Sequence, residues 1–101
     1  MSDEPAARSG PSASDLRSLR SRGRTISASF VVGKGGLTEG GVRKVDELLD
    51  ASDLVKVRVL PASPLSVEEA ADRLANAARA TVVQMIGSTI LLFRAPSENR
   101  D

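Results

Sequence analysis

The chain contains no cysteine and no histidine. Their absence removes disulfides, thiolate nucleophiles, the ordinary zinc ligands and the commonest general base together. Aromatic residues are nearly as scarce, with Phe30 and Phe93 the only two. Nucleic-acid readers that stack successive bases on rows of rings, as RRM domains do, are therefore poorly supplied. No apolar run approaches the roughly 20 residues needed to cross a bilayer, and the first residues lack the pattern of a signal peptide. A cytoplasmic protein with no membrane partner is expected. Carboxylates are densest at Glu68, Glu69 and Asp72. Two of these suit a helix capping box and the third a solvated helix face, so no catalytic residues, metal site, cofactor or small-molecule substrate is expected.

What is present, in 101 residues, suffices for one domain with a small core. The formal charge of +1 conceals an uneven distribution. From Asp15 to Lys44 there are seven basic residues (Arg17, Arg20, Arg22, Arg24, Lys34, Arg43 and Lys44) and two acidic ones (Asp15 and Glu39). From Val45 onward there are six basic and nine acidic residues. The basic half should attract polyanions.

Residues 1–13, rich in Ser, Ala, Pro and Gly, are expected to be a disordered tail, 14–95 the folded domain and 96–101 a frayed end. SDLRSLRSR predicts a short basic helix from Ser14, its cap, to about Arg22, with Leu16 and Leu19 on one side and Gly23 stopping it. Ile26 to Val32 alternates apolar with small or polar residues and predicts a strand. Leu37, Val42, Val45, Leu48 and Leu49 share one side of a helix capped by Thr38 and ending near Ala51. Leu54 to Leu60 alternates again, with Val55, Val57 and Val59 facing one way and Lys56 and Arg58 the other. Ser66 to Glu69 is a capping box opening a third helix, in which Val67, Ala70, Ala71, Leu74, Ala77 and Ala78 keep helical spacing. Thr81 to Ile86 and Thr89 to Phe93 predict two strands joined by Gly87-Ser88, a two-residue hairpin with glycine where a type II′ turn requires it.

The resulting order, α-β-α-β-α-β-β, predicts an α/β fold of two layers with a four-stranded mixed sheet. Helical crossovers make the first three strands parallel, and the hairpin makes the fourth antiparallel to the third. The carboxyl ends of the first three strands then share one edge, where ligands of open α/β sheets usually bind. That edge carries the turn Gly33-Lys34-Gly35-Gly36. Glycines there let backbone NH groups approach a ligand beside the positive end of a helix dipole, with Lys34, Arg43 and Lys44 around it. The later helix opens with Glu68 and Glu69, which would repel a phosphate, so the anion site belongs to the earlier one. The turn is neither a P-loop nor a dinucleotide fingerprint.

VGKGGLTEG (Val32 to Gly40), the helix after it, LVKVRVL (Leu54 to Leu60) and QMIGSTILLFR (Gln84 to Arg94) together resemble the CRM-domain, or YhbY-like, family of RNA-binding proteins over roughly Leu16 to Arg94. The resemblance implies a fold similar to the C-terminal domain of translation initiation factor 3, with a G-x-x-G turn comparable to that of KH domains. It implies that Gly33, Lys34, Gly35 and Gly36 contact RNA, with Arg17, Arg20, Arg22 and Arg24 as a basic flank. It further implies ribosomal RNA as partner, because free-standing prokaryotic members associate with precursors of the large ribosomal subunit. Ala28 stands where the family often has proline in its first strand, and the flanks hold less lysine than is common.

A monomeric RNA-binding protein acting in ribosome assembly is the main expectation. Two others stand beside it. One is a protein-interaction module that docks through the sheet face bearing Lys56 and Arg58, or through Ile90 and Leu92, which Leu16 and Leu19 could equally cover from within the chain. The other is an Alba-like duplex DNA binder.

Overall fold

The computed structural model describes residues 12–95. In chain order they form α1 (Ala13–Gly23), β1 (Phe30–Val32), α2 (Glu39–Ala51), β2 (Leu54–Val59), α3 (Val67–Ala78), β3 (Thr81–Ile86) and β4 (Thr89–Phe93). The two expected tails lie outside the described residues except for Ser12 and Ala13, which open α1.

The strands form one mixed sheet in the order β1-β2-β4-β3. β1 pairs with β2 in parallel, and β4 is antiparallel to both of its neighbours, so β1, β2 and β3 share a direction. The carboxyl ends of these three strands therefore lie on one edge, as the crossovers require. Alternation along the strands then divides the side chains between two faces. On one face Val32, Val55, Val57, Val59, Ile90 and Leu92 meet Val45 and Leu49 of α2 and Ala70, Ala71, Leu74 and Ala78 of α3, all buried. Each fully buried Val or Leu there contributes about 1.5–3 kcal/mol. Ile90 and Leu92 have no exposed surface, which removes them as docking residues.

On the other face Leu54, Val83 and Leu91 meet Leu19, with Leu16, Ile26 and Phe93 packed around them. The two-layer core thus carries a partial third layer, in which Leu16 and Leu19 cover Leu54, Val83 and Leu91 rather than Ile90 and Leu92, which lie on the opposite face under the other two helices. A bulge in β3 helps: Val82 pairs with Leu92 and Gln84 with Leu91, so Val83 is the extra residue and joins the α1 side.

Several boundaries differ from expectation. The cap of α1 is Ser12 rather than Ser14: Ser12 Oγ accepts from the Asp15 NH, and the Asp15 carboxylate accepts from the Ser12 NH. Gly23 is the last residue of α1 rather than a stop, and it is buried. A Cβ there would lie 2.5 Å from Leu91 Cδ2, so glycine lets the helix end rest on the sheet. The first strand is three residues long instead of seven, because Ile26 packs with α1 while Val32 enters the opposite core. The residues between them carry the chain around the sheet edge. The second strand ends at Val59, one residue before Leu60. α2 with its Thr38 cap, the Ser66–Glu69 capping box, and both hairpin strands lie where expected. Gly87, with φ 57°, makes the hairpin turn.

Candidate nucleic-acid interface

The turn after β1 is closed by one hydrogen bond, from the Gly36 NH to the Gly33 carbonyl at 2.9 Å. Gly36 has φ 71°, a conformation that side chains resist, and its position is backed by Pro64 of the loop after β2. Lys34 and Gly35, at the tip, are exposed. The cap of α2 engages two further donors: Gly41 NH donates to Thr38 Oγ1 at 3.0 Å and Val42 NH to the Thr38 carbonyl at 2.9 Å. Gly41 also lies against Phe30, where a Cβ would come within 3.1 Å of the ring. Its glycine therefore serves packing as well as helix entry.

With those bonds made, the NH groups of Lys34, Gly35, Leu37, Thr38, Glu39 and Gly40 meet no acceptor among the described residues. Lys34 and Gly35 belong to the turn, and Glu39 and Gly40 to the first turn of α2, where the helix dipole is positive. The corner is therefore a set of peptide donors without internal acceptors, mostly on exposed residues, with one ammonium group beside it. Lys44, exposed, follows Gly40 by one helical turn on the outer face of α2. Arg43 faces a groove between α2 and α3 with Glu39, Asp46 and Arg73.

The arginines of α1 are on the other face of the sheet and do not all act alike. Arg22 makes a two-pronged ion pair with Asp53, at 2.7 and 3.2 Å. Asp53 precedes β2, so this pair sits at the edge opposite the glycine turn. The bonded guanidinium holds the Asp53 carboxyl below the usual carboxylate range, burial opposing it in part. Arg20 Nε donates to the Val83 carbonyl at 3.4 Å, and Arg17 and Arg24 are exposed with no ion pair among the described residues. Arg94, unremarked as a structural residue in the sequence, donates to Asp46 Oδ1, Asp50 Oδ1 and the carbonyls of Asp46 and Ala78, tying the end of β4 to α2 and α3.

Helices on both faces of a four-stranded mixed sheet, with a glycine turn leading from an edge strand into a core helix, define a class of small α/β domains. Within that class the chain belongs to the CRS1/YhbY (CRM) domain family, whose model matches residues 12–94. It is similar to the probable RNA-binding protein YqeI of Bacillus subtilis, with 36% identity over 83% of this chain and 88% of that one. A probable RNA-binding protein of Methanocaldococcus jannaschii is 38% identical over 77% of this chain and 59% of its own length. Among solved structures, a hypothetical Staphylococcus aureus protein proposed to bind RNA superposes with a TM-score of 0.74 at 35% identity, over 90% of this chain and 95% of that one. Among the described residues no helix is long and apolar enough to cross a membrane, and no group of acidic side chains could hold a metal ion.

Proposed function

We propose that this protein binds RNA through the Gly33–Gly36 turn and the start of α2, and that the RNA is ribosomal, in precursors of the large subunit. The observation that carries the RNA reading is the exposed corner that brings Lys34 together with a run of peptide donors free of internal acceptors. A sugar-phosphate chain is the polymer such donors fit: it supplies anionic oxygens at regular intervals and needs no side-chain readout to be held. The names of the relatives in Bacillus subtilis and Methanocaldococcus jannaschii support the same ligand class. The ribosomal assignment follows the association of free-standing prokaryotic members of the family. In this reading the protein acts as a cytoplasmic monomer without catalysis, Arg43 and Lys44 add charge beside the turn, and Arg17, Arg20 and Arg24 add it on the α1 side, with Arg22 partly spent on Asp53.

Lys34→Glu tests the contact. It is expected to weaken binding to unrelated single-stranded RNAs by a similar factor, roughly tenfold, because a phosphate contact carries no sequence information. Loss confined to one sequence would make Lys34 a base reader, and no loss would remove the turn from the site. Crosslinking in cells with sequencing of the bound RNA tests the ribosomal assignment, with reads concentrated in large-subunit precursor RNA as the expected result.

A further inference from the structure

α1 covers only part of its face of the sheet, and what it leaves open is cationic. Strand register fixes the layout. Across the row nearest the glycine-turn edge, Val31 pairs with Arg58, Arg58 with Thr89, and Thr89 with Ile86. In the next row Lys56 pairs with Leu91, and Leu91 with Gln84. Lys56 and Arg58, two residues apart on β2, project from the same face about 7 Å from one another. Arg24, just past the end of α1, lines a hollow on this face with Lys56, Gln84, Ile86, Thr89 and Leu91, and Arg58 adjoins it as the strand partner of Thr89.

Three properties of this strip point to its occupant. First, no carboxylate lines the hollow, and among the described residues neither Arg24, Lys56 nor Arg58 enters an ion pair. In a chain whose formal charge is only +1, three unneutralised cations on one open face are a local excess that selects a polyanion. Second, the hollow is about 170 Å³, too small to enclose a drug-sized molecule, and it opens on a floor of Leu91 and Ile86, the latter 64% exposed. An apolar floor bordered by the Arg24 guanidinium and the Lys56 ammonium suits an unstacked base, which can lie against the guanidinium plane, while Gln84 and Thr89 offer hydrogen bonds to its edge. Third, the strip is continuous with the turn: Arg58 pairs with Val31, two residues before Gly33.

We propose that this open half of the sheet is a second RNA-contacting surface, over which a single strand runs from Arg24 past Lys56 and Arg58 and across the sheet edge to the Lys34 turn. The proposal rests on the RNA reading above and extends it. It also resolves the separation of the two basic groups, since the sheet otherwise stands between the α1 arginines and the glycine turn. Lys56 and Arg58 are the links between them.

The test uses the full chain and a fluorescein-labelled single-stranded RNA 16-mer of mixed sequence, titrated by anisotropy over a range of salt concentrations. Each phosphate contact on a single strand contributes about −0.7 to the slope of log K against log salt. The double variant Lys56→Ala/Arg58→Ala is expected to flatten the slope by about 1.4 and Lys34→Ala by about 0.7, with the thermal midpoint of the double variant close to that of the unaltered protein. If the double variant keeps the unaltered slope and affinity while Lys34→Ala flattens it, the strip is overturned and the turn stands; the three cations would then belong to a surface for an acidic protein. If the unaltered protein fails to bind the 16-mer, the RNA reading itself falls and takes the strip with it. A circular dichroism spectrum matching the unaltered protein distinguishes a lost contact from a lost fold.

Discussion

Single residues decide whether the glycine turn can be what it is taken to be. Gly36 and Gly35 are neighbours with opposite requirements. Gly36 has φ 71° and a Cβ there would come within 3.2 Å of Pro64 Cγ, whereas a Cβ on Gly35 would meet nothing within 4 Å. Gly36→Ala should therefore destabilise the fold by about 1–2 kcal/mol through backbone strain alone. Gly35→Ala should leave stability within about 0.5 kcal/mol, since it touches no packed group. In the proposed site RNA affinity should separate them in the other direction: a methyl group on Gly35 would stand where a phosphate approaches the backbone, and the loss of one such hydrogen bond is worth about 1 kcal/mol, or some fivefold. Urea unfolding and RNA titration of the two variants check both halves. A Gly35→Ala protein that is stable and binds undiminished would move the contact elsewhere. The sequence shows both glycines but not their division of labour, because Pro64 comes from a loop nearly 30 residues away.

Most elements were legible from local signals, the Ser12–Asp15 cap of α1, read as Ser14, being an exception. Thr38 and the Ser66–Glu69 box mark helix starts by hydrogen bonds that span three residues, and Gly87-Ser88 marks a hairpin by its own dihedral needs. The parallel direction of the first three strands also follows from their connections alone. The strand order does not, because the insertion of β4 between β2 and β3 depends on pairings such as Val57 with Ile90. Ile26 to Val32 misled for a related reason: alternation cannot distinguish one strand from a connector whose ends are anchored on opposite faces.

The placement of α1 was equally beyond local pattern. Its arginines read as a single basic flank, yet Arg22 serves to fasten the helix to Asp53, more than 30 residues on. That pair has a definite pH signature. The folded-state pKa of Asp53 lies below its ordinary value of about 3.9, so the contribution is complete above that value and vanishes as pH falls through the lower, folded one. With Asp53 about a quarter exposed and Arg22 about half exposed, the pair is worth no more than about 1 kcal/mol. Asp53→Asn should cost up to that amount at pH 7, and the gap between the two proteins should close below about pH 4. Denaturant midpoints at the two pH values measure it, and a gap unchanged at low pH would show that the pair contributes nothing electrostatic.

At the scale of the whole molecule, the fold sorts the charge that the sequence only divides into halves. Four acidic residues of the later half are engaged internally: Asp46 and Asp50 by Arg94, Asp53 by Arg22, and Glu69 by the Ser66 cap. What remains unpaired among the described residues includes Lys34 at the turn and Arg24, Lys56 and Arg58 on the open sheet face. The arrangement gives a cationic path that begins beneath the end of α1 and finishes at peptide donors on the sheet edge. Its two ends could be anticipated from residue spacing, since a glycine turn and an arginine-rich helix are each continuous in sequence. Its middle could be anticipated only in part: alternation puts Lys56 and Arg58 on one face, but how much of that face α1 leaves uncovered depends on the tertiary fold.

The peptide donors at the edge are the core of this account, and amide chemical shifts report on them individually. On titrating single-stranded RNA into the isotopically labelled protein, the amide resonances of Lys34, Gly35, Glu39 and Gly40 should show the largest changes, while the internally bonded Gly36 amide moves less. RNA binding that leaves those four resonances in place, with changes concentrated elsewhere, would contradict it.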